Sequence, residues 1–156
     1  MISKWNEVVG ENDIVIHLGD FAFRNKASLI RPLLNGTIIL IRGNHDLNVG
    51  ENDGFIIVED KLIINNLILT HRPMNREDIP SGFVNIHGHI HDKKSYNGIN
   101  VSVERTNYYP SELNRILSLQ WKNNEKIFTI HIIWGNVFFD INNSYFCESL
   151  SWLFWF

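Results

Sequence analysis

The sequence predicts an α/β fold with polar chemistry gathered at one edge of a sheet. Three observations predict it. Short apolar runs rich in β-branched residues recur between short amphipathic segments. Four of those runs are followed at once by Asp, Asn or His: His17-Leu18-Gly19-Asp20, Gly43-Asn44-His45-Asp46, Thr70-His71-Arg72-Pro73 and Gly88-His89-Ile90-His91. Gly19, Gly43 and Gly88 stand where a tight turn would bring backbone close to whatever those side chains hold.

The elements follow in order. Ile2, Trp5 and Val8-Val9 recur at helical spacing, so a helix is expected over 2–9, with Gly10 as its stop. Ile14-Val15-Ile16 reads as a short buried strand ending at the Gly19-Asp20 turn. Residues 26–34 suggest a short helix disturbed by Pro32. Thr37 to Ile41 is a second buried strand that ends in Gly43-Asn44-His45-Asp46. Lys61–Ile64 and Leu67–Thr70 flank Asn65-Asn66, a hairpin turn signal, and the second arm delivers His71. Phe83 to Ile86 delivers Gly88-His89-Ile90-His91, and a further strand is expected from Ile99 to Val103 after the Asn97-Gly98 turn. Ser111 then reads as the N-cap of a helix reaching about Leu119, with Pro110 just before it.

A chain of 156 residues fits one domain with a real core. Its 44% hydrophobic and 20% charged content is ordinary for a globular protein. The net charge of −3 provides no basic footprint, so nucleic acid enters only as a potential substrate. Cys147 is alone, which rules out an intramolecular disulfide and suits a reducing, cytoplasmic compartment. Residues 120–156 differ in composition and hold 11 of the 19 aromatics. The longest uncharged run there, 127–139, has 13 residues and contains His131 and Asn136. A membrane-spanning helix needs about 20 apolar residues, so no membrane anchor is expected.

Asp, Asn and His at strand ends are hard or borderline ligands suited to Mn, Fe or Zn. Two such ions can clamp a phosphoryl group and lower the pKa of a water between them. With these residues in this order, the chain resembles the calcineurin-like metallophosphoesterase family, whose motifs run D-x-H, G-D, G-N-H-[DE], H and G-H-x-H. Four of the five are matched in order over residues 14–91. The likeness extends through Asn100-Val101-Ser102-Val103-Glu104 and Asn107-Tyr108-Tyr109-Pro110, so it covers about 1–119 as the phosphoesterase domain and leaves 120–156 as an aromatic-rich tail.

The resemblance implies an α/β sandwich of two mixed sheets flanked by helices. It implies hydrolysis of a phosphomonoester or phosphodiester by attack of metal-bound hydroxide, with no phosphoenzyme. Position by position, it makes Asp20 the carboxylate bridging two metals. Asn44, His71 and His89 complete the second metal's shell, and His91 belongs to the first metal. His45 matches the His that contacts phosphate and acts as general acid. Arg42 and Arg72 adjoin ligands and are candidates for phosphate contact, against the plainer reading of solvated surface charge. His17, His87 and His131 read more simply as structural histidines, and Asp46 as a residue that steadies its turn.

The family's first motif is missing. No Asp-x-His occurs anywhere, and Asp13 lies at the wrong end of its strand. The first metal therefore keeps only Asp20 and His91, while the second keeps four protein ligands. The strand that should carry the motif is missing too. If it buried five or six apolar side chains, its loss would forfeit on the order of 10 kcal/mol, comparable to the whole stability of a typical domain. Three explanations compete. One is an N-terminally shortened product, from a misplaced start, a truncated gene or a split gene; as one half of a two-chain enzyme, the chain would instead take the Asp-x-His strand from a partner chain. Another is a mono-metal or metal-binding relic with impaired catalysis. The third is substitution by the tail, where Phe128, Ile130, Ile132 and Trp134 alternate with Thr129, His131 and Ile133 as in a half-buried strand.

Overall fold

The computed structural model describes residues 1–23, 26–113 and 130–133. They form two mixed sheets with few helices, the α/β architecture expected. The strands in chain order are β1 (Ile14–His17), β2 (Thr37–Ile41), β3 (Ile56–Val58), β4 (Lys61–Ile64), β5 (Leu67–Thr70), β6 (Val84–His87), β7 (Gly98–Asn100), β8 (Ser111–Glu112) and β9 (Ile130–Ile133). One sheet has the order β3-β2-β1-β9-β8 and the other β4-β5-β6-β7. Ile16 and Leu40 of the first sheet join Leu69 and Ile86 of the second in one apolar core.

Helix α1 (Ile2–Val8) buries Trp5, whose indole N–H donates to the carbonyl of Asn35 at 2.9 Å. The chain leaves the helix in extended conformation at Val9, and the Asp13 carboxylate accepts from the Gly10 N–H. Gly10 is thus not the left-handed stop that the sequence suggested. Helix α2 (Ala27–Ile30) gives way to a 3-10 turn over Arg31–Leu33, where Pro32 sits in the first turn. In the β4–β5 hairpin, Asn65 adopts φ of 54°, as the Asn-Asn turn signal implies.

Two parallel pairs position the chemistry. β1 runs parallel to β2 with His17 opposite Leu40, and β5 runs parallel to β6 with Thr70 opposite His87. Parallel neighbours end on the same side. The four loops that follow these strands therefore gather at one edge, and they carry the four motifs.

Three elements depart from expectation. β3 has no counterpart among the expected strands; it is only three residues long and pairs in parallel with β2 at the sheet's rim. β7 is shorter than the expected 99–103 strand, because Asn100 accepts from the N–H and hydroxyl of Ser102 and turns the chain. Ser111 does not open a helix: Ser111–Glu112 pairs antiparallel with β9, so the backbone at the expected cap belongs to a ladder. The remainder of that expected helix, 114–119, lies outside the described residues.

The missing-strand expectation meets β9. Ile14, Val15, Ile16 and His17 pair in parallel with Ile130, His131, Ile132 and Ile133, and β8 covers β9 on its other side. β1 therefore has neighbours on both edges, one of them drawn from the segment read as a tail. His131, Ile132 and Ile133 are all buried, so this strand is covered on both faces rather than half-buried. The remaining residues of 120–156 lie outside the described set. Among the described residues no helix is long and apolar enough to cross a membrane.

Candidate metal centre

Each ligand-type residue sits one to three positions past a strand. Asp20 follows β1, Asn44 follows β2, His71 follows β5 and His89 follows β6. Asp20, His89 and His91 are non-glycine residues with φ of 60°, 65° and 55°. A left-handed conformation of this kind costs of order 1–3 kcal/mol per residue and persists only where surrounding structure imposes it. Three such residues at one sheet edge mark that edge as a constrained site.

Glycine makes the close approach workable. At Gly43 a Cβ would overlap the backbone nitrogen and carboxylate of Asp20, and at Gly19, with φ of 105°, it would lie 2.5 Å from His71 Nδ1. Asp46 ties the same loops together. One carboxylate oxygen accepts from the N–H groups of Asp20 and Gly43, the other from the N–H of Phe21 at 2.7 Å. Burial, reinforced by the nearby Asp20 charge, outweighs these hydrogen bonds and raises the Asp46 carboxyl to about 6. Asp46 thus acts on backbone, as the reading of a turn-steadying residue had it.

The donors of Asp20, Asn44, His71 and His89 converge. His71 Nδ1–H donates to the carbonyl of Leu18 at 2.7 Å, which leaves Nε2 as a bare lone pair. That Nε2 lies 3.0 Å from Asn44 Oδ1, 3.0 Å from His89 Nδ1 and 3.6 Å from Asp20 Oδ2. One proton between the two rings accounts for one of these approaches; a cation accounts for all of them. Ligand atoms about 2.1 Å from a common ion and at right angles lie about 3.0 Å apart. Asp20, His71 and His89 alone already form a triad able to hold a metal ion.

The protonation states suit that use. Burial lowers the His71 pKa, though the Asp20 charge pulls the other way. Burial, with His71 next in effect, brings His89 to about 4. Both rings are neutral at pH 7, the form that binds metal.

The other histidines take separate places. His17 is fully buried beside Phe21, with its ring edge-on at 4.9 Å, and burial holds its pKa well below the usual range. His87 is buried between Ser95 Oγ at 2.7 Å and the carbonyl of Gly88 at 3.0 Å. His131 pairs with Asp13 at 3.0 Å and is 2% exposed. His45 is exposed, donates its backbone N–H to Asp20 Oδ1 at 2.8 Å and packs edge-on against Phe23.

The family model of calcineurin-like phosphoesterases matches residues 2–153. The chain belongs to the calcineurin-like phosphoesterase family. The match runs past 119, where the motif likeness stopped, and it includes β9. The chain is similar to the uncharacterized protein MJ1445 of Methanocaldococcus jannaschii, with 39% identity over 132 residues, or 76% of this chain and 72% of that protein. It is also similar to the crystal structure of AQ665 from Aquifex aeolicus, a protein of unknown function. That similarity has a TM-score of 0.61 and 26% identity, covering 76% of this chain and 82% of that one.

Set against the family's motifs, the structure gathers Asp20, Asn44, His71 and His89. His91 is not among them: its ring is half exposed and its Nδ1–H donates to Glu104 Oε1 at 2.7 Å. Glu104 closes the Asn100–Glu104 stretch that carries part of the family likeness, and that place is its one signal in the sequence. Arg42 is occupied elsewhere, bonded to both Glu59 oxygens and to the carbonyls of Asp46 and Val49. Arg72 is exposed, and its guanidinium lies 3.4 Å from Asn44 Oδ1.

Proposed function

We propose that this chain is a metal-dependent phosphoesterase that hydrolyses a phosphomonoester or phosphodiester. The observation that carries this reading is the convergence of Asp20, Asn44, His71 and His89 on one point at the ends of four strands, in a member of a phosphoesterase family. The donors are nitrogen and oxygen with no thiolate, a set suited to Mn, Fe or Zn. When bound, such ions would polarise the phosphoryl group and make a water more acidic. Arg72 would hold phosphoryl oxygens beside Asn44. His45, exposed next to Asn44, would give a proton to the departing alcohol oxygen as the P–O ester bond breaks and water supplies the new P–O bond.

One observation favours a second reading. His91 stands apart from the converging donors, and no Asp-x-His exists to join it. A single occupied site with no turnover would make the chain a metal-binding relic. The two readings separate by experiment. Metal content of the Mn-loaded chain is measured, together with turnover of p-nitrophenyl phosphate and bis-p-nitrophenyl phosphate. Turnover that disappears in Asp20→Ala supports the enzyme; stoichiometric metal without turnover of either ester supports the relic.

A further inference from the structure

We infer that Arg72 is a specificity-determining residue, whose guanidinium selects dianionic phosphomonoesters over phosphodiesters at the metal centre. The inference rests on the phosphoesterase reading above and narrows its substrate to one of the two ester classes.

Buried polar groups hold the Arg72 backbone in place. The Thr70 hydroxyl donates to the Arg72 carbonyl at 2.7 Å. Thr70 Oγ1 in turn accepts from Asn85 Nδ2 at 2.8 Å, and Asn85 Oδ1 accepts from the Met74 N–H at 3.0 Å. Asn85 is fully buried within β6, so this network ties the loop over 71–74 to the interior. Pro73 adds its own restriction, disfavouring a helical turn at Arg72. The side chain, by contrast, is left uncommitted. Among the described arginines, Arg31, Arg42, Arg76 and Arg105 each donate to a backbone carbonyl. The exposed guanidinium of Arg72 has none and approaches Asn44 Oδ1 at 3.4 Å, long for a hydrogen bond.

That approach places a positive charge at the reacting edge. Asn44 Oδ1 is one of the donors that converge with His71 Nε2, so a single ligand atom separates the guanidinium from their common point. Burial is first among the causes that lower the pKa of His71 and His89, and the Arg72 charge adds to it at both rings. The converging donors carry one negative charge, on Asp20; Asn44 and the two neutral rings carry none. Asp46, the next carboxylate, is already bonded to the N–H groups of Asp20, Phe21 and Gly43. With one divalent ion held there, one positive charge is left over, and Arg72 adds a second. A phosphomonoester matches this: it carries close to two negative charges at neutral pH and three terminal oxygens. A phosphodiester carries one charge and two terminal oxygens. An oxygen on the ion leaves two of the monoester's for the planar fork of an arginine, which grips phosphate bidentately. It leaves only one of the diester's.

The test compares the Mn²⁺-loaded full-length chain with Arg72→Ala and Arg72→Lys. Values of kcat/KM are measured for p-nitrophenyl phosphate and bis-p-nitrophenyl phosphate. Arg72→Ala should lose about 10–100-fold on the monoester and clearly less on the diester, so that the monoester-to-diester ratio falls about tenfold. Arg72→Lys should recover part of that ratio, because it restores the charge without the fork. A second readout needs no turnover. Calorimetric titration at pH 8.5 with methylphosphonate, a dianion with three terminal oxygens, and with dimethyl phosphate should show the Arg72→Ala weakening mainly for methylphosphonate. Mn²⁺ itself should bind Arg72→Ala no more weakly than the wild type, as a residue outside the ligand set requires. Equal losses on the two esters, methylphosphonate bound by Arg72→Ala as by the wild type, or weakened Mn²⁺ binding in that variant would each overturn the inference. A wild type that hydrolyses neither ester overturns the phosphoesterase reading instead, a different outcome, and the methylphosphonate titration still decides the role of Arg72.

Discussion

His89 Nδ1 lies 3.0 Å from His71 Nε2, with the two rings at 68° to each other and 4.7 Å between centroids. Two neutral imidazoles brought this close, beside a carboxylate and an amide oxygen, gain most from a shared cation. Mn²⁺ at about 100 times its dissociation constant should stabilise the chain by about 2.7 kcal/mol. For a chain of this size that corresponds to a rise of roughly 5–10 °C in Tm. Thermal melts with and without Mn²⁺ check this. His71→Ala and His89→Ala should each abolish the rise, and a wild type indifferent to Mn²⁺, Fe²⁺ and Zn²⁺ would contradict the site.

Stability of the metal-free chain should fall on acidification. His17, His71, His87 and His89 are all lowered from 6.5, chiefly by burial, and His89 reaches about 4. Unfolding returns them to about 6.5, so between those values the unfolded chain binds more protons and stability rises with pH. Asp46 opposes this. Raised from 3.8 to about 6, it holds a proton in the folded chain that the unfolded chain lacks, so its share of stability is lost as pH rises through that window. Four histidines outweigh one carboxyl. Urea denaturation at pH 7.5 and pH 5 should therefore give a lower midpoint at pH 5, and equal midpoints would show that these rings are not neutral in the folded chain.

Gly43→Ala should damage both the fold and the metal site, because the added methyl collides with the backbone and carboxylate of Asp20. The neighbour is main chain and cannot rotate aside. A loss of about 1–3 kcal/mol is expected, as for overpacking elsewhere, together with weakened Mn²⁺ binding. Gly50→Ala provides the contrast: nothing lies within 4 Å of its Cβ position, and its φ of −143° suits any residue. It should match the wild type in melting temperature and in Mn²⁺ affinity. Parallel melts and titrations of the two variants test the pair.

The parts of this site that sequence could reveal are those written locally. Asp20, Asn44, His71 and His89 each follow a recognisable strand, and parallel pairing of β1 with β2 and β5 with β6 does the rest. The contact between Glu104 and His91 was not legible, because it depends on how the chain turns between Asn100 and Tyr109. Asn107 and Tyr108 are both left-handed there, with φ of 52° and 63°. Ser111 shows a local signal overruled: its cap propensity is real, but pairing with Ile132, distant in sequence, claims its backbone. β3 leaves no clear mark in the sequence, because three residues carry too little periodicity to count. The neighbour of β1 was the hardest to read. The alternation at 128–134 announced a strand, yet nothing local says that it inserts between β1 and β8.

That insertion is open to a direct test at Ile132. The residue is fully buried and pairs with Ile16 on one side and Ser111 on the other. Truncating a buried isoleucine to alanine typically costs about 2–5 kcal/mol, so Ile132→Ala should lower the urea midpoint substantially. Ile56→Ala on the rim strand β3, where the side chain is 53% exposed, should cost far less. The effect of Ile132→Ala should also reach the metal centre. The carbonyl of Ile133 accepts from the N–H of Leu18 at 3.4 Å, and the carbonyl of Leu18 fixes the tautomer of His71. Loosening β9 therefore loosens the acceptor that keeps His71 Nε2 bare, and Mn²⁺ affinity should weaken along with stability. An Ile132→Ala protein with the wild type's urea midpoint would mean that residues 130–133 do not form an interior strand.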